Sequence, residues 1–148
     1  MAITEGTDIK PVEFYNIPQE MKDISSWVLW QSVPLNDGTG RSKKVPVQRN
    51  GDYASSTGSN TWITFKEAQE AYENGIGSGI GIVLNDEHNL YVLDIDGTTD
   101  HEYYERFKHA TYCETSPSGN GIHVYMLGDK PKKHKKDGIN DKSLELFS

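Results

Sequence analysis

One cysteine, Cys113, in 148 residues excludes an internal disulfide and fits a reducing, cytoplasmic setting. Long apolar runs are missing as well. No stretch approaches the roughly 20 residues that span a bilayer, and the opening MAITEGTDIK has no apolar signal core, so no membrane is expected among the partners. Basic residues are in deficit, 15 Lys and Arg against 22 Asp and Glu, for a net charge of −7. That balance argues against a surface that neutralises nucleic-acid phosphates everywhere, and leaves only clustered bases to do so. Apolar residues are scarce at 34%, so three Trp, eight Tyr and four Phe must supply much of the core. No internal repeat or low-complexity block breaks the chain. Its length suits a single domain over residues 14–148 behind a flexible N-terminus, residues 1–13.

What is present reads as strands with a few helices. Asn16-Ile17-Pro18 suits a helix entry. Residues 27–33, Trp-Val-Leu-Trp-Gln-Ser-Val, are rich in strand formers, and the turn cluster Asn36-Asp-Gly-Thr-Gly40 leads to a partner strand over 43–47. That partner should be an edge, because Pro46 has no N–H to donate. Thr64 followed by Glu67 predicts a capping box, with Phe65, Ala68, Ala71 and Tyr72 on one helical face and Gly75 at its end. Strands are expected over 79–84, 90–96, 111–115, 122–127 and 144–147, with a short helix over 102–109. The pattern predicts an α+β fold, its sheet covered mainly on one side.

Side chains alternate faces along a strand, and this rule gathers the chemistry. In residues 91–96, Tyr91, Leu93 and Ile95 leave Asp94 and Asp96 on the other face. In residues 122–126, Ile122, Val124 and Met126 leave His123 and Tyr125 opposite; in residues 144–146, two leucines leave Glu145. If the apolar faces share one core, three carboxylates and an imidazole project from one surface of one sheet. Asp94 and Asp96 stand about 6–7 Å apart on the strand and repel unless a cation lies between them. Hard oxygen ligands select Mg²⁺, Mn²⁺ or Ca²⁺, and sparse carboxylates suit Mg²⁺ bound together with substrate phosphates. His123 would serve as a donor to a phosphate oxygen, with backbone N–H groups of the glycine-rich loop before it close by.

Asp94-Ile-Asp96, Ser116-Pro-Ser-Gly-Asn-Gly-Ile-His123 and Leu144-Glu145-Leu146 together resemble the three motifs of the archaeo-eukaryotic primase superfamily. The likeness is greatest to the primase-polymerase domains of phage and mobile-element replication proteins, which would set the chain in a host cytoplasm. It extends to Asn16-Ile-Pro18, Trp27-Val-Leu-Trp30, Lys43-Lys-Val-Pro46 and Ser55-Ser-Thr57, and so covers residues 14–148. The resemblance implies a core that pairs an N-terminal α/β part with an RRM-like antiparallel sheet carrying the active site. It implies Asp94, Asp96 and Glu145 as catalytic metal ligands for Mg²⁺ or Mn²⁺, and Ser118, Gly121 and His123 as contacts to nucleotide phosphates. The implied reaction joins nucleoside triphosphates on a DNA template, with a helicase domain or replication partner as a further associate. In the family, chain continues beyond the third motif; here it stops at Ser148, as a fragment or a short stand-alone protein would.

Bases do cluster. Residues 129–142 hold six Lys against three Asp, and Arg41, Lys43, Lys44 and Arg49 form a second group with no acid between them. Lys132, Lys133, Lys135 and Lys136 are the candidate DNA contacts, and Lys43 and Lys44 candidate nucleotide contacts, by steering and counterion release. Both groups also suit solubilising loops. Trp27, Trp30 and Trp62 could stack bases, but a lean composition needs them inside. Residues 93–98, Leu-Asp-Ile-Asp-Gly-Thr, also resemble the first motif of haloacid-dehalogenase-type phosphatases. That motif normally lies near an N-terminus, whereas here most of the chain precedes it. The stronger rival is a non-catalytic primase-like module that binds DNA or a replication partner.

Overall fold

The computed structural model describes residues 9, 11–85, 87–96, 105, 107–115, 121–128, 139–140 and 144–147, with positions 94, 96, 139–140 and 144–147 described by backbone alone. A 3-10 turn, Phe14–Asn16, leads into the short helix α1, Gln19–Lys22, with Pro18 as its N-cap. The Trp-rich segment forms β1, Trp27–Pro34, which turns back into β2, Ser42–Val47, with Trp30 opposite Pro46. Helix α2, Phe65–Glu73, begins with the expected capping box: Glu67 N–H donates to Thr64 Oγ1 at 3.2 Å, and Thr64 N–H donates to Glu67 Oε2 at 2.9 Å. Gly75 follows the helix at φ +85°. Gly77 then turns the chain at φ +79°, where an added Cβ would stand 3.0 Å from the Trp30 carbonyl oxygen, so only glycine fits.

The remaining strands are β3, Gly79–Val83; β4, Leu90–Asp96; β5, Cys113–Thr115; β6, Gly121–Leu127; β7, Ile139–Asn140; and β8, Leu144–Phe147. They form two four-stranded antiparallel sheets, ordered β2-β1-β3-β8 and β5-β6-β4-β7. The α+β class stands, and β2 is an edge strand as Pro46 requires. The single-sheet expectation does not. Although β3 and β4 are neighbours in sequence, they lie in different sheets, and β8 pairs with β3. The reason lies in β3, Gly-Ile-Gly-Ile-Val, which is buried at all five positions. A strand so enclosed must hydrogen-bond along both edges. β1 takes one edge and β8 the other.

Alternation divides β1 between two cores. Trp27 and Leu29 join Ile80 and Ile82 against Phe65, Ala68 and Ala71 of α2. Trp27 meets Phe65 edge-on, ring centroids 5.1 Å apart, and its indole N–H donates to the Met21 carbonyl at 3.2 Å. Val28 and Val83 face the other way, beneath Ala54 and Trp62. The loop that carries Ala54 is held by Ser55: its carbonyl accepts from the Trp62 indole at 2.7 Å, and its hydroxyl accepts from Gly58 N–H at 2.9 Å. Trp27 and Trp30 are fully buried and Trp62 partly so, which assigns their area mainly to the core. The expected helix over 102–109 falls largely outside the described residues. Among the described residues, no helix is long and apolar enough to cross a membrane.

Candidate active site

The second sheet brings the motif strands together. β4 and β6 pair over seven residues, with Asp94 opposite His123 and Asp96 opposite Gly121. On the other side of β6, Glu114 of β5 is the partner of the same His123. Glu114, His123 and Asp94 therefore occupy one transverse row across three strands. Two residues further along β6, on the same face, Tyr125 pairs with Val92. Gly121 leaves the position across from Asp96 without a side chain.

His123 is 7% exposed. Its Nδ1 lies 3.5 Å from Glu114 Oε1, and its ring meets Tyr125 edge-on with centroids 6.5 Å apart. The Glu114 carboxylate also accepts from two phenols, Tyr112 at 3.0 Å on Oε2 and Tyr125 at 3.1 Å on Oε1. Burial pushes the Glu114 carboxyl above its ordinary range, and the His123 contact and the two phenols pull it part of the way back. Burial, then the neighbouring Glu114, drives the Tyr112 phenol the same way. The two phenols supply the hydrogen-bond donors of this buried carboxyl, and His123 Nδ1 stands beside it.

The polar face was expected to be the solvent side of this sheet, and here the structure corrects the alternation argument. Tyr125 is 2% exposed and, with Leu90 and Val92, joins the main core. Ile122 and Val124 are buried as well, so β6 is enclosed on both faces from Gly121 to Tyr125. A tyrosine supplies an apolar body as well as a hydroxyl, and Glu114 satisfies that hydroxyl inside.

No protein-family model matches the chain. Among curated proteins, the DNA primase-polymerase of Nitratiruptor phage NrS-1 is 30% identical over 134 residues, covering 83% of this chain and 18% of that protein. The chain belongs to the primase-polymerase family. It spans under a fifth of the length of the relative it matches.

Within this primase-polymerase domain the predicted site residues divide. Asp94, Gly121 and His123 are brought together by the β4–β6 ladder, and Asp96 lies at its end. Glu145 was expected on the same sheet and is not there: it lies on β8, opposite Ile82 of β3, at the edge of the first sheet. Lys43 and Lys44 lie on β2, at the far edge of that sheet from β8. Two strands intervene, so about 14 Å separates the two backbones. Lys44 Nζ stands 5.6 Å from the Trp30 ring centroid, and partial burial lowers its pKa. In the same basic group, Arg41 pairs with Asp37 at 3.6 Å and Arg49 with Glu67 at 3.9 Å.

Ser118, Lys132, Lys133, Lys135 and Lys136 lie outside the described residues, as do the side chains of Asp94, Asp96 and Glu145. Among the described side chains, no three His, Cys, Asp or Glu stand together as an ion cage. Sequence reasoning missed Glu114 and Tyr112. The signal was available: Tyr112-Cys-Glu114 alternates in phase with His123 and Tyr125 on the next strand.

Proposed function

We propose that this domain performs DNA-templated nucleotidyl transfer, using Asp94, Asp96 and Glu145 to hold Mg²⁺ or Mn²⁺. The observation that carries the reading is the register: Asp94 and His123, from two motifs separated by a loop, are direct partners in one ladder. The 30% identity to a protein named DNA primase-polymerase supports the reaction class. In that reaction a primer 3′-oxygen bonds to the α-phosphorus of a nucleoside triphosphate, and the bond to the departing pyrophosphate breaks.

The donor set suits a hard divalent ion. Two carboxylate positions alternate on one strand, and the position across from Asp96 carries no side chain to crowd them. Bound there, the ion neutralises triphosphate charge and the charge that develops on pyrophosphate. His123 contacts a phosphate oxygen, with Ser118 and the Gly121 backbone on the same phosphates. Lys43 and Lys44 supply longer-range attraction to triphosphate, and Lys132, Lys133, Lys135 and Lys136 to template. Glu145 completes the acid set from the edge of the neighbouring sheet.

The test is template-dependent primer extension with each metal, paired with thermal unfolding. Nucleotide plus Mn²⁺ at about 100 times its dissociation constant should stabilise the fold by about 2.7 kcal/mol, and Asp94→Ala should abolish that gain. A second reading follows from coverage: a segment matching 18% of its relative also suits a module that binds DNA or a replication partner. Duplex or single-stranded DNA binding without any metal-dependent nucleotide stabilisation would favour it.

A further inference from the structure

We propose that Tyr53 is a base-stacking platform for single-stranded template, set on a hydrogen-bonded hairpin at the β2 edge, with Lys43 and Arg49 beside it for the phosphates. The proposal deepens the DNA-templated reading and rests on it: it gives the unpaired strand a path along the first sheet, away from the Asp94–His123 ladder.

Trp27, Trp30, Phe65 and Tyr125 are buried, yet Tyr53 is 78% exposed. Its backbone is held from both sides. Residues 48–54 fold back on β2: the Gln48 N–H donates to the Asp52 carbonyl at 2.7 Å, and the Ala54 N–H to the Pro46 carbonyl at 3.0 Å. Gly51 turns the chain between them at φ +89°. The Gln48 side-chain amide donates to the Tyr53 carbonyl at 2.9 Å. A ring on so fixed a backbone loses little freedom on stacking, and every base offers it a π-face.

The surrounding charge suits phosphates. Tyr53 is the bridge partner of Val47, so its ring lies on the face of β2 that also carries Lys43. Lys43 is exposed, about 13 Å along the strand from Val47. Arg49 extends toward α2, its guanidinium 3.9 Å from Glu67. Both members of that pair are exposed, so the contact is weak and gives way readily to a phosphate. No acid occurs from Arg41 to Gly51. The edge itself adds a donor. Pro46 turns its carbonyl outward to Ala54, so by ladder alternation Lys44, two residues earlier, also turns its N–H away from β1. An exposed ring beside cations and an outward amide fits a single strand, whose bases are free to stack. A duplex keeps its bases stacked on one another.

The test is binding of the whole chain to a fluorescein-labelled oligonucleotide, single-stranded and as its duplex, over a series of salt concentrations without metal or nucleotide. The single strand should bind more tightly. Tyr53→Ala should weaken it roughly 5- to 150-fold, the loss of one stacked base, and Tyr53→Phe, which keeps the π-face, should retain the affinity. Arg49→Gln should make the slope of log affinity against log salt shallower by about 0.7, one phosphate contact on a single strand. If Tyr53→Ala folds poorly, Tyr53→Leu against Tyr53→Phe makes the same comparison, with Leu expected to bind weakly. Equal affinity of wild type and the Ala or Leu variant for the single strand overturns the proposal. So does a wild-type chain that binds duplex as tightly as single strand, or that binds neither. No nucleotide enters this measurement, so its failure leaves nucleotidyl transfer standing. Absence of nucleotide-plus-Mn²⁺ stabilisation in the wild type would remove that reading instead, and leave the stacking site to a module that only binds DNA.

Discussion

Asp94 and His123 face each other across the β4–β6 ladder, the acid from one motif and the imidazole from another. Directly opposed residues in antiparallel strands have Cβ atoms about 4.5–5.5 Å apart. The ladder therefore fixes this spacing through backbone hydrogen bonds, before any ligand arrives. Asp94→Ala or Asp96→Ala should lower metal-dependent extension by at least ~100-fold, with far-UV circular dichroism unchanged. His123→Ala should act mainly on KM. Full extension activity in either Asp variant would defeat the assignment.

Thr64 and Glu67 start the helix that covers the first sheet. Thr64→Ala should cost about 1 kcal/mol, read as a lower urea midpoint. The Thr64 N–H, then its hydroxyl, hold the Glu67 carboxyl below its ordinary range, with Arg49 adding to the effect. A lowered carboxylate contributes stability above its unfolded-state value and loses it as pH falls through the folded-state value. Urea midpoints of Glu67→Gln and wild type should therefore converge on the acid side.

Glu114 should behave with the opposite sign. Burial raises its folded-state pKa, so its contribution is fully present below the ordinary glutamate value and is lost as pH rises through the elevated one. Measured against wild type, Glu114→Gln should gain relative stability as pH rises from the acid range toward neutral. A difference independent of pH would show that the carboxyl titrates alike in the folded and unfolded chain.

Much of this architecture was legible in the chain. Thr64 and Glu67 announced α2, Pro46 announced an edge strand, and the β4 and β8 boundaries followed from alternation alone. These are local signals, each written within a few residues. The division into two sheets was not legible, because pairing is long-range: nothing in Gly79–Val83 says that its second neighbour will be Leu144–Phe147. The same limit misplaced Glu145, whose strand was read correctly and whose sheet was not. Glu114 escaped notice because a lone glutamate in a short strand looks like a solvated charge until its two tyrosines are placed around it.

Trp27 joins both helices to the first sheet, through the Met21 carbonyl and the Phe65 ring. Trp27→Ala should cost about 3–5 kcal/mol in equilibrium unfolding, as truncation of a buried aromatic does. Trp62→Ala, at a partly exposed position on the opposite face, should cost less.

The pairing of β8 with β3 makes the proposed ion a clasp between two hydrogen-bond networks that share no ladder among the described residues. Edge strands open at lower free energy than the whole fold, so zipping of β8 and capture of the ion become linked equilibria. Amide hydrogen exchange in Leu144–Phe147 should slow when Mn²⁺ and nucleotide are added, while the enclosed β3 amides change little. Under the proposed function, loosening that one edge would release the ion and leave the Asp94–His123 ladder intact.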